Sequence, residues 1–245
     1  MAPSLALGQA VHEVLESLSV LPKHSRFSDS LMDKFEKSWS KVTGKKGGFT
    51  SPESEYKYKT RGQEMIRRVM NNHGPISGLA IKIQMDLPYF WLSEEDNIIL
   101  CGKVDWLEYL PETDSVHIID FKTGKAEEDP ESLQLPIYRL LVERCQKRQA
   151  TRASYWYLDS SDNLTPKELP DIETAQKKIL DIARQVKLAR QLQRFKCPQG
   201  EGCNTCSPME AIIDKKAEFV GNDEYNADVY ILQKQEQENR EGLIL

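Results

Sequence analysis

Apolar residues at Leu7, Ala10, Val11, Val14, Leu15 and Leu18 recur every three or four positions, which predicts a helix from about Leu5 to Leu18 with one buried stripe. Two further helices are predicted at Phe27 to Val42, capped by Ser28 or Asp29, and at Pro52 to Met70, capped by Ser51 with Pro52 at its first position. Between them "TGKKGGFTSPES" reads as a loop. The period then changes from near four to two. Leu79 to Leu87 alternates as a strand, Tyr89 to Leu92 continues it, and "SEEDN" turns the chain. The stretch "CGKVDWLEYLPETDSVHIIDFKTGK", Cys101 to Lys125, follows as two alternating runs about a four-residue loop at Pro111 to Asp114, a β-hairpin. Asp129, with Pro130 at its first position, starts a helix that runs to about Arg148. "ASYWYL", Ala153 to Leu158, is a short strand. Asp171 to about Arg194 is a long helix with Ile172, Ala175, Ile179, Ile182, Ala183, Val186 and Leu192 inward, and Val229 to Leu232 closes the pattern as one more strand. The order of helices, three or four strands, helix, strand and helix predicts an α/β chain with a central mixed sheet flanked by helices.

Composition narrows the class. With 245 residues, 39% hydrophobic and 29% charged, the chain has the makeup of one large globular domain, or one domain with an insertion. No apolar run approaches the roughly 18 residues of a membrane span, and the N-terminus lacks the basic start of a signal peptide, so a cytoplasmic location is expected. The net charge of -5 argues against indiscriminate coating of nucleic acid. Basic residues nevertheless dominate Lys23 to Arg68 and Lys177 to Lys196, so local surfaces suit phosphate binding. Within the first of these, Trp39, Tyr56 and Tyr58 fit base stacking and packing equally. Five cysteines without a secretion signal make a disulfide framework unlikely.

The candidate chemistry lies in the hairpin. If Leu110 faces Ser115 across the loop, Asp105 falls opposite Asp120 and Lys103 opposite Lys122. Directly opposed side chains have Cβ atoms roughly 4.5 to 5.5 Å apart, where two carboxylates destabilise each other. A divalent cation removes that repulsion, because hard ions such as Mg²⁺ are held by one or two carboxylates with waters and phosphates. Lys122 shares a strand face with Asp120 and adds a cation beside them. The isolated pattern Asp-x-Lys is ordinarily a solvated surface pair. Here Asp120 follows the apolar run Val116 to Ile119, broken only by His117, and precedes Phe121, so the strand reads as core, where an unpaired charge costs several kcal/mol. His12 beside the first helical stripe fits either a boundary residue or a metal ligand. Gln134 and Tyr138, four apart, share a helix face about Pro136.

Taken in order, His12 in "LGQAVHEVLE", Asp105 in "GKVDWLE", Asp120 and Lys122 in "IIDFKTGK", and Gln134 with Tyr138 in "QLPIY" resemble the PD-(D/E)XK nucleases, more narrowly the RecB-like branch with RecB and AddB nuclease domains and CRISPR-associated exonucleases. The resemblance implies a restriction-endonuclease-like sheet over residues 1–212, with a helical insertion at about 21–75, a cysteine-containing segment at 195–212 and an acidic peripheral tail at 213–245. It further implies that His12, Asp105 and Asp120, with the carbonyl of Phe121, ligate Mg²⁺ or Mn²⁺. Lys122 would orient or activate water, and Gln134 and Tyr138 would position DNA or support the site. Two departures stand out. The acid often found upstream of Gly-x-x-Asp is replaced at the corresponding positions by Lys82 and Gln84, with Asp86 as the nearest substitute. Cys197, Cys203 and Cys206 are spaced C-x5-C-x2-C where relatives with a four-cysteine iron-sulfur cluster use C-x2-C-x5-C, and no cysteine precedes Cys101. Free thiols, zinc and an iron-sulfur cluster all remain open there. The chain starts close to the His12 helix, as expected of a domain that follows a helicase or lacks an upstream segment.

The resemblance implies a metal-dependent DNA nuclease, an exonuclease or single-strand endonuclease of repair or recombination, with DNA and a helicase as partners. A catalytically inactive nuclease-fold module for DNA binding or helicase docking is the alternative. Retention of Asp105, Asp120 and Lys122 weighs against it, and nothing reads as the base-recognition module of a restriction enzyme.

Overall fold

The computed structural model describes residues 1–197, 203, 206–223 and 226–232. Three helices open the chain: α1 (Pro3–Leu18), α2 (Leu31–Trp39) and α3 (Pro52–Asn71). The α1 stripe is buried as predicted, from Ala6 to Leu18. Ser51 caps α3 by accepting from the Ser54 amide, again as predicted. α2 is shorter than its pattern. Ser30, not Ser28 or Asp29, supplies the cap, and beyond Trp39 the chain tightens into a 3₁₀ turn. Trp39 is core, packed between Phe35 and Phe49, so packing rather than base stacking accounts for it.

β1 (Leu79–Ala80) enters the main sheet, and β2 (Tyr89–Ser93) and β3 (Ile98–Cys101) form a separate antiparallel hairpin. The strand predicted from Leu79 to Leu87 therefore stops early, and Tyr89 to Leu92 does not continue it. Ile81 donates a last bond to Leu107, after which Ile83 stays buried and Ile81 and Met85 half-buried without a ladder. Alternation at this point reports which side chains face the core, not whether the backbone is paired. β4 (Trp106–Leu110) and β5 (Ser115–Lys122) form the central hairpin with Leu110 opposite Ser115, the predicted register.

α4 (Gln134–Cys145) follows, four residues later than Pro130 predicts. The Asp129 carboxylate closes a turn by accepting from the Glu131 amide instead of capping a helix. Pro136 is the third helical residue, and the first intrahelical bond runs from the Ile137 amide to Leu133, so the missing N–H of Pro136 costs nothing. β6 (Ala150–Tyr157) pairs parallel with β5, with α4 as the crossover that parallel neighbours require. β7 (Thr165–Lys167) adds an edge strand the sequence pattern did not reveal. The sheet order is β1-β4-β5-β6-β7. α5 (Ile172–Gln191) starts at its Asp171 cap but buries only Ala175 and Ile179, leaving Val186 and Leu192 exposed against expectation. α6 (Ser207–Ile213) leads to β8 (Ala217–Asn222), which pairs with β9 (Asp228–Leu232) in a third hairpin.

The two faces of the sheet carry different loads. Trp106, Ile119, Phe121 and Trp156 pack under α1, α2 and α3, whereas Leu107, Val116 and Ile118 pack against Leu135, Tyr138 and Val142 of α4. His117, which interrupts the apolar run, is satisfied in place. Its Nδ1 lies 3.0 Å from Glu108 and its Nε2 2.9 Å from Ser154 on the flanking strands. β2, β3 and α5 then cover the far side of α4 through Leu92, Leu140, Ala175 and Ile179. Two helical layers thus enclose β4 and β5, and α1 and α4 reach the same end of them. No helix among the described residues is long and apolar enough to cross a membrane.

Candidate active site

The register that sets Leu110 against Ser115 carries past the last ladder pair, Trp106 with Ile119, and brings Asp105 to the level of Asp120. Both carboxyls are buried. Asp105 Oδ2 accepts from the Phe121 amide at 2.9 Å and lies 3.3 Å from His12 Nδ1, while Oδ1 accepts from the Tyr138 hydroxyl at 3.1 Å. Asp120 Oδ1 accepts from Gln134 Nε2 at 2.6 Å, and the same amide nitrogen reaches the Tyr138 oxygen at 3.0 Å. α1 and α4 therefore clamp the two acids from opposite faces. The spacing of Gln134 and Tyr138 is one helical turn, which lets a single face of α4 reach both.

Lys122 closes the group. Its ammonium is 2.8 Å from Asp120 Oδ2 and 2.8 Å from Glu128, donates to Gln134 Oε1, and stands 4.7 Å over the Tyr155 ring. Asp120 Oδ2 is buried and meets that ammonium as an ion pair.

The electrostatics combine burial with an excess of negative charge. Burial and then the Asp105 carboxylate push the Asp120 carboxyl above its usual range, against the pull of Lys122. Burial works to lower the Lys122 ammonium, yet Asp120 and Glu128 more than offset it, so this lysine stays protonated. Burial likewise opposes the charged form of His12, but Glu16, Asp105 and Asp120 together raise it to about 8. Burial and the two aspartates hold Tyr138 far above an ordinary phenol, which keeps it a donor.

A cation is the natural remedy, and the donors fit one. His12, Glu16 and Asp105 each offer a ligand atom within 4.8 Å of the others. Oxygen ligands with one imidazole suit Mg²⁺ or Mn²⁺. Phe121 joins the group through its amide, while its ring stacks edge-on in the core with Trp106.

A cleft of about 270 Å³ opens on Asp105 and Glu16 and is lined also by Lys82, Asp86, Lys103 and Val104. Asp86 is thus at the same mouth as Asp105. Lys103, expected across from Lys122, lies beyond the ladder and is exposed on the rim. Sequence reasoning missed Glu16, although its place four residues after His12 on one helix was a signal. It also missed Glu128, which sits in a loop whose path no periodicity predicts.

Away from this site, the sulfurs of Cys197, Cys203 and Cys206 come within 4.8 Å of one another. The Cys206 amide donates to Cys203 Sγ at 3.4 Å, and Cys203 pushes the Cys206 thiol up to about 11.

Two acids and a lysine on paired strands, clamped by helices on both faces of a mixed sheet, are the arrangement expected of a metal-dependent nuclease. The chain belongs to the PD-(D/E)XK nuclease superfamily, whose family model matches residues 1–210. Members are hydrolases that use a divalent metal such as Mg²⁺ or Mn²⁺ on DNA. Comparisons with curated proteins and with solved structures gave no match.

Proposed function

We propose that the protein is a deoxyribonuclease of the RecB-like branch, an exonuclease or single-strand endonuclease that serves DNA repair or recombination beside a helicase. The observation that carries this reading is the closed network from His12 through Asp105, Tyr138, Gln134 and Asp120 to Lys122. It joins the histidine, two acids, lysine, glutamine and tyrosine expected of the branch, without the acid upstream of Gly-x-x-Asp, where Lys82 and Gln84 stand.

His12, Asp105 and Asp120 hold the metal, with Glu16 as a neighbouring donor and the Phe121 carbonyl as a further ligand. The bound ion supplies a nucleophile near neutral pH and charge compensation at the phosphoryl oxygens. The protein's own residues do the rest. Lys122, held protonated by its two carboxylates, donates to water or phosphate and stabilises developing negative charge instead of removing a proton. Gln134 fixes both Asp120 and Lys122, and Tyr138 fixes Asp105. Cys197, Cys203 and Cys206 offer three thiols to zinc or an iron-sulfur cluster, one ligand short of a closed structural site, and serve equally as free thiols.

The test is cleavage of labelled single-stranded and duplex DNA with Mg²⁺, Mn²⁺ or EDTA. Wild type should give metal-dependent products, and Asp120→Ala and Lys122→Ala should lose at least ~100-fold in rate, the scale of removing one electrostatic stabiliser. Binding without cleavage under every metal would overturn the reading in favour of an inactive DNA-binding module.

A further inference from the structure

We propose that the outer face of the β2–β3 hairpin is a stacking platform that delivers single-stranded DNA to the cleft. This inference rests on the nuclease reading of that cleft. The hairpin alternates strictly. Phe90, Leu92, Ile98 and Leu100 face α4 and α5, whereas Tyr89, Trp91, Ile99 and Cys101 are exposed. The register pairs Tyr89 with Cys101 and Trp91 with Ile99, so the four exposed residues form one contiguous apolar face.

The base of the hairpin adjoins the site. The Gly102 amide donates to the Pro88 carbonyl at 3.0 Å to close the hairpin base, and Pro88, Lys103 and Val104 line the cleft that holds Asp105. Tyr89 is therefore one residue outside the cleft and Trp91 two further along the same face. Residues two apart on a strand are about 6.6 Å apart, roughly twice the 3.4 Å rise of a stacked nucleotide, so the two rings match adjacent bases of a stretched strand or alternate bases of a stacked one. Lys82 and Lys103, both exposed at the cleft, have no ion-pair partner among the described residues and are placed for the phosphates. At the opposite end Glu94 and Glu95 repel a phosphate backbone, which limits the track to the two aromatics.

The occupant follows from size and chemistry. Four residues are far fewer than the 20 to 30 that a stable protein interface commits from each side. They are enough for two bases, whose π faces stack on aromatic rings whatever the sequence. A paired duplex hides those faces, so the platform selects single strands.

Trp91 makes the idea directly measurable. Of the four tryptophans, Trp39, Trp106 and Trp156 are at most 1% exposed and Trp91 is 47% exposed. In EDTA, which stops cleavage, oligothymidylate should quench the intrinsic fluorescence of the full chain, and blunt duplex should not. Trp91→Ala should abolish the quench and weaken oligothymidylate binding, read by anisotropy, about tenfold, while Trp91→Phe restores most of the affinity. Lys103→Ala should flatten the salt dependence and leave the quench in place. Unchanged affinity in Trp91→Ala, or equal quenching by duplex, overturns the platform. Loss of cleavage under every metal with the Trp91-dependent binding intact would instead sink the nuclease reading and leave the platform standing.

Discussion

Asp120 shows how far function and stability diverge at a single residue. Its carboxyl is raised by burial and by Asp105, so the native state holds its proton more tightly than the unfolded chain does. The penalty is absent below the unfolded pKa, where both states are protonated, grows as pH rises towards the folded value, and is complete above it. In EDTA at alkaline pH, Asp120→Asn should therefore be more stable than wild type by ~1 kcal/mol or more, a melting shift of roughly 2 to 4 °C for a domain of this size. Excess Mg²⁺ should shrink or reverse the difference, because the ion supplies what the carboxylate lacks. Equal melting curves in EDTA would show that Lys122 already neutralises the acid. Tyr138 offers a gentler probe. Tyr138→Phe keeps the ring in the core and removes one donor from Asp105, with an expected loss of ~1 kcal/mol, a few-fold in rate at saturating metal.

At the scale of elements, the helical layer over the sheet is tighter than its composition implies. Gly62 sits inside α3, where an alanine would ordinarily favour the helix by ~1 kcal/mol. A Cβ there would come within 2.5 Å of the Phe35 ring and 3.0 Å of Leu7, so overpacking of about 1 to 3 kcal/mol should win and Gly62→Ala should lower the melting temperature. The same layer explains what could be read in advance. α1, α3 and the β4–β5 register follow from local pattern, and Asp105, Asp120 and Lys122 come with the register. The start of α4 did not, because Asp129 and Pro130 make an equally good turn. The separation of the β2–β3 hairpin from the sheet did not either. Period-two alternation is the same for a strand in the main sheet and for one laid over α4, and only the partner distinguishes them. Glu128 escaped because its role depends on a loop folding back to Lys122.

For the whole molecule, the β8–β9 hairpin ties a late segment of the chain to its start. The N-terminal ammonium of Met1 donates to the Tyr230 carbonyl at 2.9 Å, and Lys45 in the loop between α2 and α3 pairs with Glu218 at 2.7 Å. Val229 and Ile231 are buried. Removing residues from Asp214 onward should thus destabilise α1 and its loop, seen as faster amide exchange there, and slow cleavage through the His12 and Glu16 that α1 carries. Loss of cleavage at full folding would assign the hairpin a part in the site. The distribution of ligands has a consequence for synthesis. His12 and Glu16 leave the ribosome early, but the acids opposite them and the α4 clamp that orients those acids come 89 or more residues later. A nascent chain shorter than about Tyr138 holds no assembled cutting centre. The cell's own DNA is safe from it until more than half of the chain has been made.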